Sequence, residues 1–188
     1  MRKRFMRRTA LAWAVALVAV LIPAGAAWAS PERRDVRVQD DCDPATFNAV
    51  LGPGACVGDG DTTFSEFIAQ LEKDGDAGKW RFDRERFGLD DGGTIRAMNK
   101  GGEFHTFTEV RDFGGGCIRE LNAILGLTPV RECQPLIEVA PGVQIPLAFV
   151  QSGLEPGQSR SVRHLAPGVH RFECLIHPWM HSVVPVRS

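Results

Sequence analysis

Residues 172–186 have the sequence "FECLIHPWMHSVVPV", which places Cys174, His177 and Met180 at three-residue spacing. A continuous strand would point Cys174 and His177 to opposite faces, because strand side chains alternate with a period of two. A helix is disfavoured as well, because Pro178 restricts the backbone of the residue before it. We therefore expect a turn after Cys174 that brings the three side chains toward one point.

A thiolate, an imidazole and a thioether are soft ligands, and together they select copper over calcium or magnesium. A trigonal copper site needs a second histidine, which we expect another strand to supply. His105 in "NKGGEFHTFTEV" lies just inside a predicted strand after a Gly-Gly turn and is the candidate. Four alternatives stay open: a metal-free strand histidine at position 105, a structural thiol at Cys174, a turn-capping histidine at position 177 and a plain core side chain at Met180.

Several neighbouring residues have expected supporting roles. Ligating histidines donate their second N–H group to an acceptor, and a ligating sulfur accepts backbone N–H bonds, for which Thr106 is well placed. Asn99 is expected to shape the turn before the predicted strand. We expect His170 to fill the core and His181 to be exposed to solvent.

The chain after residue 79 has the sequence pattern of a β-protein. Short alternating apolar runs are separated by Gly-Gly, Asp-Asp and Pro-Gly turn signals, which is typical of a β-sandwich or barrel. An amphipathic helix at 62–73 precedes it, and a shorter helix at about 117–125 interrupts it. Residues 30–60 are polar and rich in proline and glycine, and we expect them to be mostly irregular.

The spacing C-x2-H-x2-M before a final apolar run, with "HTFT" upstream, resembles the blue copper proteins, or cupredoxins. The ligand loop "CLIHPWM" is most similar to that of amicyanin. The resemblance covers residues 79–188 and implies an all-β, Greek-key β-sandwich that holds one mononuclear copper per chain. It implies His105, Cys174 and His177 as equatorial ligands and Met180 as the axial ligand.

The chain departs from a minimal cupredoxin in two segments. His105 and Cys174 are 69 positions apart, and the excess fits a disulfide-closed helical insert at 113–133. The helix at 62–73 also lies outside the minimal fold. We therefore divide the chain into a signal peptide (1–29), an N-terminal extension with a short helix (30–78) and the cupredoxin-like copper-binding domain (79–188).

The signal peptide is indicated by a basic start, an uncharged apolar stretch and the cleavage pattern Ala-Trp-Ala at 27–29. The alternative is an uncleaved membrane anchor, since residues 9–30 are long enough to span a bilayer. Cleavage is favoured by proline, glycine and small residues before position 30. We expect an exported protein, periplasmic or extracellular, without stable membrane insertion.

Five cysteines in an oxidising compartment predict disulfides with one cysteine left over. Cys42–Cys56 and Cys117–Cys133 is the simplest of three pairings that leave Cys174 unpaired. Cleavage would also remove five of the 22 basic residues and leave a net charge of about −6. No basic cluster would remain, so nucleic acid is not expected as a partner.

Four protein ligands would close the metal site, so we expect no enzyme activity at this metal. One-electron transfer between redox partners is the favoured function, with a redox protein docking near an exposed edge of His177 and near Trp179. We expect a monomer. The alternatives are an envelope copper-binding or delivery protein without electron transfer, and a structural domain that acts through residues 30–78.

Overall fold

A computed structural model of the chain describes residues 32–188, and the expected signal peptide at 1–29 lies outside them. The strands are β1 (Arg33–Gln39), β2 (Arg81–Phe82), β3 (Leu89–Asp90), β4 (Thr94–Asn99), β5 (His105–Thr106), β6 (Thr108–Val110), β7 (Leu136–Ala140), β8 (Val143–Pro146), β9 (Gly153–Leu154), β10 (Ser159–Val162), β11 (Gly168–Glu173) and β12 (His181–Arg187). The helices are α1 (Pro44–Leu51), α2 (Phe64–Asp74), α3 (Arg119–Leu125) and α4 (Leu147–Ser152), with one 3₁₀ turn at Arg131–Cys133.

The strands form two larger sheets, in the orders β10-β4-β1-β2 and β3-β12-β11-β6, and two short pairs, β5-β9 and β7-β8. Strand β1 runs parallel to β4 and β12 runs parallel to β3, whereas the other pairs are antiparallel. The β-rich architecture agrees with the expected fold class. The Greek-key connectivity stays a prediction.

The core takes one side chain from every second position of the strands, as the strand period requires. In β4, Ile95 and Ala97 are fully buried and alternate with partly exposed residues. Phe107 stacks on Phe172 of β11 with ring centroids 4.4 Å apart, and Phe82 of β2 lies 5.1 Å from Phe107. These aromatic contacts connect strands of both larger sheets through one hydrophobic core.

The N-terminal segment contributes to this core, so the expectation that residues 30–60 are mostly irregular is wrong. Strand β1 lies between β4 and β2, and it pairs with β4 over the whole run Arg33 to Val38. Val36 and Val38 are fully buried. The apolar alternation covers only these two valines among charged residues, too short a pattern to indicate a central strand. The division of the chain at residue 79 stays a prediction.

Both predicted helices are present, at 64–74 and 119–125. Helix α2 begins with a capping box between Thr63 and Glu66 and ends at Gly75, which adopts a left-handed conformation. Helices α1 and α4 were not expected, and α4 lies where we predicted strand. Its six residues are too few to show a helical period.

Both expected disulfides, Cys42–Cys56 and Cys117–Cys133, are formed, and Cys174 is unpaired and buried. The first disulfide connects the region after β1 to the loop before α2, and the second closes the helical insert. Within residues 32–188, every helix is too short or too polar to cross a bilayer.

The position of β1 in the sheet generates a stability prediction. Val38→Ala should lower the free energy of unfolding of the metal-free protein by about 2 kcal/mol, because it deletes two buried methyl groups and leaves a cavity. Arg37→Ala is the matched control on the exposed face of the same strand, and it should change stability by less than about 0.5 kcal/mol. Urea denaturation measures both, and equal effects would contradict a central β1.

Candidate metal centre

The chain turns between β11 and β12, as expected for the segment after Cys174. The N–H group of Cys174 donates to the carbonyl of Met180 over 3.1 Å, and the N–H group of Met180 donates to the carbonyl of His177 over 3.0 Å. The first bond continues the antiparallel ladder of the two strands, and the second closes a tight turn. Cys174 and Met180 therefore lie side by side at the base of this turn.

Three donor atoms converge beneath the turn. Cys174 Sγ lies 3.7 Å from His105 Nδ1 and 3.8 Å from His177 Nδ1, and the two Nδ1 atoms are 3.2 Å apart. The point equidistant from the corners of this triangle lies about 2.1 Å from each atom, close to metal–nitrogen bonds of about 2.0–2.1 Å and metal–sulfur bonds of about 2.3 Å. The residues therefore fit a single metal ion.

The expected ligands are all buried. His105 and Cys174 are fully inaccessible, and His177 is 2% exposed. Met180 is 1% exposed and belongs to the main hydrophobic core. The structure thus brings the two histidines and the cysteine together, whereas the axial role of Met180 stays a prediction.

The ring of His105 is oriented by a residue that sequence reasoning missed. Asp40 Oδ2 lies 2.8 Å from His105 Nε2, and its side chain is 1% exposed. Because Nε2 faces this carboxylate as a donor, Nδ1 is the ring nitrogen that faces Cys174 and His177 and could bind a metal. Asp40 lies at the end of β1, in the segment that we expected to be irregular, so its proximity could not be predicted.

A second missed carboxylate lies beside His177. Glu103 Oε2 is 3.6 Å from His177 Nε2 and accepts a hydrogen bond of 2.5 Å from the indole N–H of Trp80. A signal for this residue does exist in the sequence. Glu103 precedes His105 by two positions, so an extended backbone places both side chains on the same side.

The sulfur of Cys174 receives a backbone hydrogen bond, as expected for Thr106. The N–H group of Thr106 donates to Cys174 Sγ over 3.4 Å, and the hydroxyl of Thr106 accepts from the N–H group of Leu175 over 2.8 Å. These two bonds tie β5 to the turn that carries the cysteine. Asn99 also behaves as expected, because its side-chain oxygen accepts the N–H group of Gly101 in the preceding turn.

The protonation states of the metal-free site are strongly coupled. Burial alone would raise the pKa of Cys174, but hydrogen bonds and charges from His105 and His177 hold that pKa well below its usual value. Burial alone would lower the pKa of His105, but Asp40 and Cys174 raise it to about 10. A metal ion must therefore displace the proton on Nδ1 of His105 when it binds to the thiolate.

The expectation of an exposed ligand edge at His177 is wrong. Phe67 of helix α2 stands perpendicular to the imidazole of His177 at a centroid distance of 6.2 Å, and Trp179 lies 5.4 Å away on another side. Trp179 is itself half-buried and donates its indole N–H to the carbonyl of Trp80 over 3.1 Å. The apolar face of α2 covers the histidine, because that face packs onto the same core.

The remaining two histidines discussed above lie outside the donor cluster. His170 is hydrogen-bonded to Glu109 and to the carbonyl of Ala166, so the expectation that it fills the core is wrong. His181 is half-buried and stacks on Phe113 at 3.9 Å, whereas we expected it to be exposed. The ring of His170 is thus held by a neighbouring strand and by the turn before its own strand, whereas that of His181 is covered by the segment after β6.

Comparison with known proteins gives similarity at the level of structure. No protein-family model matches the chain, and no curated protein matches it either. Among solved structures, a reduced Cu(I) form of an amicyanin variant is 17% identical, with 60% of this chain and 78% of that chain covered and a TM-score of 0.35. A purple cupredoxin from Nitrosopumilus maritimus is 17% identical, with 62% and 90% covered and a TM-score of 0.35. These similar structures come from the family that the ligand loop resembles, but at this level of similarity site roles depend on the residues themselves.

The Asp40–His105 contact generates a pH prediction for the metal-free protein. Burial alone would raise the pKa of Asp40, but His105 and the N–H groups of Gly102 and Glu103 lower it from 3.8 to about 2. A lowered folded-state pKa stabilises the protein above pH 3.8, and this stabilisation is lost as the pH falls through about 2. Asp40→Asn should therefore cost about 2 kcal/mol above that range.

Urea denaturation of both proteins across this pH range measures the effect. The stability difference between wild type and Asp40→Asn should shrink as the pH falls to about 2. Asp59→Asn is a control at an exposed aspartate, and its difference should stay small and constant. A difference for Asp40→Asn that does not change with pH would contradict the assignment.

Proposed function

We propose that the chain is an exported type 1 (blue) copper protein that carries single electrons between redox partners. The observation that carries this proposal is the buried triangle of one cysteine sulfur and two imidazole nitrogens with edges of 3.2–3.8 Å. Bound copper would supply a one-electron couple between Cu(I) and Cu(II), and such soft, trigonal donor sets are typical of blue copper sites.

His105, Cys174 and His177 would hold the copper as equatorial ligands, and Met180 would be the axial ligand, with one ion per chain. The donors come from β5 and from the turn between β11 and β12, which are joined through Thr106. Because these segments are buried and hydrogen-bonded to each other, the donor positions should change little between the two oxidation states.

The same arrangement disfavours catalysis at the metal. Four protein ligands leave no open position for a substrate or water. The cover formed by Phe67 and Trp179 further separates His177 from solvent. The solved structures with similarity to this chain include Cu(I) forms of amicyanin, and we propose the same metal here.

The proposed partner is a redox protein that docks near Trp179. Because His177 is covered, the electron would cross the aromatic cover rather than leave from a ligand edge in contact with solvent. Trp179 lies between the ligand and the surface and remains half-buried. We propose a monomer and a small, short-lived docking interface, as is usual for redox encounters.

Export is supported by the predicted signal peptide and by the two disulfides, since disulfides persist in oxidising compartments. The periplasm and the extracellular space both satisfy this requirement. The alternative function, copper binding or delivery in the cell envelope, would require ligand exchange with a second protein. The burial of all three donors favours a retained ion over a transferred one.

Titration of the metal-free protein with Cu(II) tests the metal site. One equivalent should produce a strong visible band from thiolate-to-copper charge transfer, and a reductant should remove it. Cys174→Ser should abolish the band, and His105→Ala should abolish or shift it, because each removes an equatorial donor. His170→Ala is the matched histidine control and should leave the spectrum unchanged.

A colourless wild-type protein would refute the type 1 site. For a coloured protein, voltammetry and a chelator challenge separate the two functions. An electron carrier should give a reversible one-electron wave and keep its copper against excess chelator. Rapid loss of copper to the chelator would favour the delivery function.

The axial role of Met180 can be tested separately. Met180→Leu should keep the visible band but raise the reduction potential by tens of millivolts, because loss of the weak thioether donor destabilises Cu(II). Met98→Leu is the matched control, since Met98 is half-buried on the outer face of β4. Equal potentials for wild type and Met180→Leu would argue for a plain core methionine.

A further inference from the structure

The segment after the N-terminal strand places a carboxylate next to the ring nitrogen of His105 that faces away from Cys174. Asp40 follows β1 directly, and its Oδ2 atom lies 2.8 Å from His105 Nε2. The carboxylate also accepts the N–H groups of Gly102 over 2.9 Å and Glu103 over 3.1 Å. With the N–H group of Cys42 at 3.3 Å, the carboxylate accepts four N–H donors and is 1% exposed. It is therefore a built part of the structure, because an incidental surface contact would leave the side chain solvated.

A glycine, Gly101, packs directly against the carboxylate of Asp40. A Cβ atom on Gly101 would overlap the carboxylate of Asp40, so any other residue at this position would push the carboxylate away. The turn is held by Asn99, whose side-chain oxygen accepts the N–H group of Gly101 and whose amide donates to the carbonyl of Glu103. The turn between β4 and β5 therefore has the space that the aspartate needs.

The two histidines differ in their contacts with carboxylates. Glu103 lies 3.6 Å from His177 Nε2, beyond hydrogen-bond distance, and its carboxylate is engaged by the indole N–H of Trp80. Asp40 is bonded directly to its histidine. Of the two, only His105 thus has a negative charge linked to its ring through a hydrogen bond.

The charge balance of the site determines what such a carboxylate does. A copper ion with two neutral imidazoles and one thiolate has a net charge of +1 as Cu(II) and zero as Cu(I). A buried negative charge behind His105 attracts the charged state and has little effect on the neutral one. The hydrogen bond also increases the basicity of the imidazole, which favours Cu(II) further.

We propose that Asp40 is a positioning residue of the metal centre, which fixes the ring of His105 and lowers the reduction potential by stabilising Cu(II). This inference rests on the proposed function of the site. In the couple concerned, Cu(II) takes up one electron from the redox partner and becomes Cu(I). The N-terminal segment is thereby part of the redox chemistry as well as of the fold.

Protein-film voltammetry of Asp40→Asn tests the inference. The amide has the shape of the carboxylate, and its oxygen can still accept the Nε2 proton, whereas its NH2 group replaces the oxygen that accepts the N–H group of Gly102. The variant therefore loses the charge and that backbone bond but keeps the contact with His105. The ratio of Cu(II) to Cu(I) affinity should fall by at least about tenfold, which raises the potential of this one-electron couple by about 59 mV. The visible band should persist, because all four proposed ligands remain.

Asp41→Asn is the matched control. Asp41 is the next residue and loses the same charge, but its carboxylate contacts Lys79 and Thr62 rather than a ligand. Its potential should stay close to that of the wild type. An unchanged potential in Asp40→Asn, or an equal shift in Asp41→Asn, would overturn the inference.

A second measurement does not depend on the stability of the variant or on copper. In nitrogen–proton NMR spectra of the metal-free wild type, the Nε2 proton of His105 should be visible and protected from solvent exchange. Rapid exchange of this proton would overturn the contact. A coloured wild type with an unshifted Asp40→Asn potential refutes this inference alone, whereas a colourless wild type refutes the proposed function and this inference together.

Discussion

A buried thiolate between two imidazoles is the constraint on which the rest of this structure depends. Cys174 is fully inaccessible, and a buried charge is costly unless partners compensate for it. His105, His177 and the N–H group of Thr106 provide that compensation. Because these groups come from β5 and from the turn after β11, stabilising the sulfur requires that both segments be held together. The same requirement brings three donor atoms to the distances of a metal site.

The N-terminal segment makes two contacts with this centre, one with each histidine. Strand β1 lies inside one of the larger sheets and is followed directly by Asp40, which is hydrogen-bonded to Nε2 of His105. Helix α2 then places Phe67 over His177, and the ring packs against Trp80 at 4.7 Å. One continuous segment thus sets the charge behind one histidine and closes solvent access to the other. For an electron carrier, the first effect concerns the potential and the second concerns the route to the partner.

A large part of the architecture could be predicted from local patterns. The turn after Cys174 and the helices at 64–74 and 119–125 follow from short-range rules of period, capping and proline geometry. The contact from Thr106 was expected for another reason, because a ligating sulfur accepts backbone N–H bonds. Both disulfides were predicted from the expected export and from the close spacing of the paired cysteines. The errors concern β1, α1 and α4, whose apolar patterns are too short for a period to be recognised. The solvent cover of His177 was missed for a different reason, since it depends on where a distant helix packs.

The features that were predicted differ from those that were missed for a physical reason. Three of the four expected ligands are close in sequence, since Cys174, His177 and Met180 lie within seven residues of each other and one turn can bring them together. The environment of the ligands is not local, because Asp40 is 65 positions from His105 and Phe67 is 110 positions from His177. Nothing in the spacing of residues so far apart reports their distance in space. The residue types of the donor set could therefore be recognised in the amino-acid sequence. The burial of the site, the charge beside it and its access to solvent depend on how β1 and α2 pack against the core.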